Sequence, residues 1–162
     1  MNYITRSDTG PGRGHPRRRP PDQRPLVTPA GRDFQLSDEI GEAVIREVHA
    51  YNFYSRLAAL APGLRLRQAI LRIRQDEANH YGSFTAALQR LGARMPMIPA
   101  GAAPATFQEG LREAIKAENE AAAFYNSVAS RAKSRSIQTQ FINAARDEQK
   151  HSLRLRYMIA GR

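Results

Sequence analysis

The chain has 162 residues, 25 Lys and Arg against 15 Asp and Glu for a formal charge of +10, and neither cysteine nor tryptophan. That length holds one domain with a real core, and the missing cysteine excludes disulfides, zinc–thiolate sites, iron–sulfur clusters and thiol nucleophiles. No apolar run approaches the ~20 residues of a bilayer span, and "RRRP" at 17–20 is not followed by the ~7–15 apolar residues of an export signal, so a cytoplasmic protein with no membrane association is expected.

The N-terminal stretch has its own composition. Residues 1–35 carry seven Arg, no Lys and three Asp, hence +4, and six of the ten prolines precede residue 30. With almost nothing apolar to bury, this segment is expected to be a disordered tail. It reads as a solubilising extension, or alternatively as an arm that binds nucleic acid or another polyanion weakly through charge.

From residue 36 the pattern turns helical. "QLSDEIGEAVIREVHAYNFYSRLAAL" offers Ser37 as an N-cap with acids in the first turn, then apolar residues at helical spacing. "APG" at 61–63 breaks it, and a second helix is predicted over 64–91. "GARMPMIPAGAAPAT" at 92–106 is too rich in Gly and Pro to continue. A third helix fits 107–132, a short break falls at "KSRS" (133–136), and a fourth runs on to the C-terminus. No strand alternation occurs, so residues 36–162 predict an all-α four-helix bundle.

The chain also aligns with itself at an offset of 71 residues: Glu47 falls on Glu118, Phe53 and Tyr54 on Phe124 and Tyr125, and Asp76, Glu77 and His80 on Asp147, Glu148 and His151. It is therefore two copies of one helical hairpin. Glu47 and Glu77 lie 15 residues either side of Pro62, as Glu118 and Glu148 do about Lys133. At ~1.5 Å per residue each carboxylate stands ~22 Å from its turn, so the pair in each hairpin shares one height. His80 and His151 follow their glutamates at i+3, on the same helix face.

These polar residues occupy core positions. The first helix reads Ile40, Val44, Glu47, Tyr51, Tyr54, Ala58, and the fourth reads Ile137, Phe141, Ala144, Glu148, His151, Leu155. Four carboxylates in mid-bundle are costly without counter-charge, and a metal pair is the natural compensation. A lone Glu-x-x-His on a helix is usually a solvated pair. Two of them, with two more glutamates at matched height, point to a dinuclear site. Carboxylate and imidazole suit iron or manganese. Tyr51, Tyr54 and Tyr125 on the same stripes read as core residues with bonded hydroxyls, or as a radical relay, while His49, two residues from Glu47, faces elsewhere and is expected to be no ligand.

On Glu47, "DEANH" with Glu77 and His80, Glu118, and "DEQKH" with Glu148 and His151, residues 36–162 resemble the ferritin-like superfamily, near its rubrerythrin and bacterioferritin branches. The resemblance implies two iron ions bridged by Glu77 and Glu148, with Glu47 and Glu118 as terminal ligands and one histidine per ion. It also implies Asp76 and Asp147 as hydrogen-bond partners of the histidines. Two departures qualify it. The additional rubrerythrin glutamate one turn after the third-helix ligand is Ala121 here, and no rubredoxin-like cysteine set is present. Met95 and Met97 fall in the crossover, where no haem ligand is expected, and no fifth helix follows the fourth.

The function implied is a di-iron oxidoreductase, a peroxidase or ferroxidase of oxidative-stress or iron handling. It would take H2O2 or O2 and electrons from an external donor, in a chain expected to form a homo-oligomer such as a dimer. Manganese catalase and di-iron hydroxylase chemistry share the ligand set. The reading from a different class is a non-catalytic basic bundle that binds nucleic acid or docks on an assembly. A substrate path is expected past the small residues Ala50, Ala121 and Ala122.

Overall fold

Four helices form in the order α1 (Pro29–Ala59), α2 (Leu64–Arg90), α3 (Phe107–Arg131) and α4 (Arg135–Ile159). They are seen in a computed structural model that describes residues 29–161, with side chains from residue 35 onward. The expected disordered tail and its polyanion-binding role lie outside the described residues up to residue 28.

One boundary differs from expectation. The first helix begins at Pro29, so Ser37 lies inside α1 and is not its N-cap, and residues 29–35 are helical. A proline is well placed in a first helical turn, whose N–H groups have no intrahelical acceptor. The other ends carry local signals that act. Leu91 closes α2, Gly92 follows at φ 66°, and the Ala93 and Gly92 amides bond to the carbonyls of Leu88 and Gln89. That is a Schellman turn, which needs the left-handed conformation glycine adopts freely. Thr106 caps α3: its hydroxyl accepts from the Glu109 amide at 3.2 Å and donates to the Glu109 carboxylate at 2.9 Å.

Helix direction follows from which ends share a core. Ile40, Val44, Phe84, Leu88, Val128 and Phe141 pack together at one end of the bundle. Tyr54, Leu57, Ile70, Ile73, Leu111 and Leu155 do so at the other. The start of α1 thus meets the end of α3, and the end of α2 meets the start of α4. Since α2 ends where α3 also ends, the sixteen residues between Arg90 and Phe107 must climb the whole bundle. Extended chain at ~3.3 Å per residue is long enough for a helix of that size, ~40 Å. Hairpin partners α1 with α2 and α3 with α4 pack along their lengths, and α1–α3 and α2–α4 contacts join the two hairpins.

The crossover is strapped to the bundle near its far end. A Cβ on Gly110 would stand 2.6 Å from Leu57 Cδ1 and 2.7 Å from Pro104 Cβ, so α1, α3 and the crossover meet where only glycine fits. Helix propensity alone favours Gly→Ala by up to ~1 kcal/mol, but displacing a proline ring outweighs that. We expect Gly110→Ala to lower stability by about 1–3 kcal/mol. Gly82→Ala, within α2 with nothing closer than 4 Å, should raise it by about 0.5–1 kcal/mol. Urea unfolding of the two variants checks the pair; equal shifts would mean that the close approach at Gly110 is not a constraint.

Candidate metal centre

Between the two apolar clusters lies a belt of polar side chains, one from the first helix of each hairpin and two from its second. Glu47 comes from α1, Glu77 and His80 from α2, Glu118 from α3, and Glu148 and His151 from α4. All four glutamates and His151 are buried to within 5% of full burial. The structure brings all six together in two sets. Ligand atoms of Glu47, Glu77, His80 and Glu148 lie within 4.8 Å of one another, as do those of Glu77, Glu118, Glu148 and His151. Glu77 and Glu148 belong to both sets.

The imidazoles share one orientation logic. His80 Nδ1 faces Glu148 Oε1 at 3.1 Å, Glu77 Oε2 at 3.6 Å and Glu47 Oε2 at 3.8 Å. His151 Nδ1 faces Glu148 Oε2 at 3.1 Å, Glu77 Oε1 at 3.2 Å and Glu118 Oε2 at 3.8 Å. Each Nε2 turns to the Asp of the other hairpin: His151 to Asp76 Oδ2 at 3.1 Å, His80 to Asp147 Oδ2 at 3.5 Å. A carboxylate can only accept, so Nε2 carries a proton; Nδ1 also faces carboxylates, and on losing its proton it would be the ligand atom toward the centre.

The tyrosines cross in the same way. The Tyr54 hydroxyl donates to Glu118, and the Tyr125 hydroxyl donates to Glu47 Oε1 at 2.5 Å. Burial, then the neighbouring carboxylates, holds both phenols well above their usual range, so they remain donors. Tyr51 does not join them. It is 38% exposed with the Arg74 guanidinium over its ring, because four residues past Glu47 at 100° each carries it ~40° off the buried stripe. His49 stands outside both sets, its Nε2 at 2.9 Å from the Pro99 carbonyl of the crossover.

Whether this belt fits a metal pair is tested by its unpaired atoms. Glu77 Oε1, Glu148 Oε1 and His80 Nδ1 are shielded from solvent yet make no hydrogen bond; His80 Nδ1 and Glu148 Oε1 are 3.1 Å apart but not aligned for one. Buried polar atoms are rarely left so. All three belong to the two ligand sets, so divalent ions at the centre would satisfy them together. The residues fit.

Protons do part of that work in the metal-free protein. Burial, opposed by His80, and the charges of Glu77 and Glu148 hold Glu47 well above the carboxylate range. Glu118 is raised by burial and by the same two neighbours, against His151. Burial would lower His151, but its bonds to Glu118, Glu148 and Glu77 outweigh that and push it up to about 12; His80 is raised likewise. Glu148, against its own burial, is pulled down to about 2 by the two histidines.

A cavity of about 400 Å³ reaches this belt from between α1 and α3. Ala50 and Ala121 line it as expected. Ala122 does not; it is buried, one residue further around α3. Sequence reading missed Arg46, Glu113 and Ala117, which also line it. The available signal was Ala114, Ala117 and Ala121 recurring on one face of α3.

Four antiparallel helices, two core clusters and a carboxylate–histidine belt between them define the class: the chain belongs to the ferritin-like superfamily. Within it, the Rubrerythrin family model matches residues 109–162, which carry α3 and α4. The chain is 31% identical over 145 residues to the "Uncharacterized protein YhjR" of Bacillus subtilis (strain 168), covering 85% of this chain and 96% of that protein, and shares its family. Two solved structures share the fold. One is a ferritin-like, diiron-carboxylate protein from Bacillus anthracis str. Ames (TM-score 0.73, 20% identity, 79% of this chain and 97% of that one). The other is a hypothetical protein from Pyrococcus furiosus (TM-score 0.69, 22% identity, 79% and 90%).

The shifts set a pH dependence. Raised Glu47 and Glu118 contribute stability that is complete below 4.5 and lost as pH rises above it. Raised His151 contributes stability that is complete below 6.5 and lost as pH rises toward about 12. Glu148 acts oppositely, but only as pH falls from 4.5 toward about 2. The metal-free protein should therefore melt at lower temperature as pH rises from weakly acid to weakly alkaline. Saturating Mn(II) must displace the same protons, so its stabilisation should grow over that interval. Melting curves with and without Mn(II) check both signs, and a Mn(II) shift independent of pH would mean the ion binds elsewhere.

Proposed function

We propose that Glu47, Glu77, His80, Glu118, Glu148 and His151 hold two iron ions, and that the chain is a di-iron oxidoreductase that turns over H2O2 or O2. The observation that carries this reading is the sharing of Glu77 and Glu148 between two ligand sets. Manganese accepts the same ligands. When bound, the ion pair supplies two electrons to an oxidant bound at one place.

The chain's own residues do the rest. Glu77 and Glu148 join the two positions, and Glu47 and Glu118 complete one each, so four carboxylate charges balance two divalent ions. Asp76 and Asp147 hold the Nε2 protons of His151 and His80 and keep each Nδ1 aimed inward. Tyr54 and Tyr125 fix the terminal carboxylates by hydrogen bonds. The apolar clusters above and below exclude water, which strengthens every electrostatic contact in the belt. Electrons for repeated turnover come from an external donor, and the domain that does this is the bundle itself, from residue 36 onward.

Anaerobic Fe(II) loading should give two ions per chain, and rapid mixing with H2O2 or O2 should oxidise them together. Glu77→Ala or Glu148→Ala should lose both ions, since each removes a bridge. Zero or one ion in the wild type would overturn the dinuclear reading. The double variant Glu47→Gln, Glu118→Gln keeps an acceptor for each tyrosine while removing two buried titratable carboxyl groups. Its metal-free form should melt no lower than wild type, and Fe(II) should stabilise it far less. A clearly lower melting point would show that these carboxylates serve the fold without metal.

A further inference from the structure

The α1–α3 cavity is far larger than an oxidant needs. H2O2 and O2 are little larger than a water molecule, for which ~10–15 Å³ of cavity suffices, whereas about 400 Å³ lies between α1 and α3, the space among the belt carboxylates included, within the range of pockets that hold small organic ligands. Its floor is formed by carboxylates of the belt, Glu47, Glu77, Glu118 and Glu148. Its walls are mostly apolar, Ala50 and Phe53 from α1 and Ala114, Ala117 and Ala121 from α3, with Arg46, His49 and Glu113 the polar exceptions.

Three features make this a built pocket. The alanines recur at i, i+3 and i+7 on α3, so one face of that helix offers only methyl groups where leucines would close the gap to α1. The crossover passes over the opening: Ala102 lines the cavity, and His49, also on its wall, bonds to the Pro99 carbonyl at 2.9 Å. Of the charged residues in the lining, Arg46 pairs with Glu42 at 3.0 Å and stands over the Phe124 ring at 4.9 Å, and Glu113 is exposed to solvent.

We infer that this cavity is a binding site for a neutral, largely apolar organic molecule of one or two rings, or an aliphatic chain of similar bulk, seated against the terminal carboxylates. The inference rests on the proposed metal reading only for what lies beneath the ligand. An anion would lose its hydration against alanine and phenylalanine walls that offer it no donor. A strongly polar molecule would leave its groups unpaired against alanine and phenylalanine walls. A neutral apolar body meets neither penalty.

Indole is a suitable probe because the chain has no tryptophan, so indole emission excited beyond tyrosine absorption comes from the probe alone. With the full chain, free of metal and then loaded with Mn(II), we expect saturable binding of one indole per chain, a blue shift of its emission, and competition by cyclohexanol but not by acetate. Ala117→Phe, at an exposed position on the cavity wall, should weaken binding at least about tenfold. Ala121→Leu should do the same from deeper inside, and thermal melting verifies that both variants are folded. Non-saturable partition of indole, or equal affinity in wild type and both folded variants, would overturn the inference. So would binding that weakens as protein concentration rises, the mark of a second copy of the chain covering the opening. Metal content measured on the same samples reports on the dinuclear reading separately: indole binding without metal retains the pocket and removes its iron, and two metals without indole binding do the reverse.

Discussion

Four carboxylates brought within a few ångströms of one another, out of water, dictate the rest of this structure. Left charged and unpaired they would repel, and they would forfeit hydration worth several kcal/mol per ion. The protein meets that demand with groups of complementary kind. Two imidazoles present Nδ1 to the carboxylates and two phenols donate to the terminal pair. Without metal, burial favours the protonated form of the terminal glutamates and the carboxylates favour cationic imidazoles; divalent ions would neutralise the same carboxylates directly. The two apolar clusters flank the belt and supply the burial that a polar middle cannot.

The belt is also where the two hairpins depend on each other. Asp76 of the first reaches His151 of the second, and Asp147 reaches His80; Tyr54 bonds to Glu118, and Tyr125 to Glu47. Each of these two aspartates and two tyrosines steadies a candidate ligand of the opposite hairpin. Neither hairpin alone could orient its own histidine, so the site exists only in the assembled bundle.

The helices, their breaks and the six converging residues could be read from the sequence because each leaves a local mark: "APG" in the first turn, Gly and Pro through the crossover, and polar residues at positions where a helical stripe demands apolar ones. What escaped reading depends on more than one element. The start of α1 at Pro29 has no apolar periodicity to reveal it, and Ser37 looks like a cap only if the helix has not already begun. Tyr51 falls ~40° from a stripe that list-reading treats as a line. The crossed partners of Asp76 and Tyr54 need the relative placement of two hairpins. The cavity is a space between helices, and Ala114, Ala117 and Ala121 announce small volume without saying whether a neighbour fills it.

The twofold relation between the halves bears on descent. With an offset of 71 residues and reciprocal contacts throughout the belt, a single hairpin meeting a second copy of itself would already have produced both ligand sets, both aspartate–histidine contacts and both tyrosine bonds. A gene encoding one hairpin could therefore have made the whole centre as a symmetric homodimer. Fusion would then have added only the crossover, which ties the copies together at unit stoichiometry. It also freed each half to diverge, and the crossover came to lie over the face formed by α1 and α3, where their cavity opens.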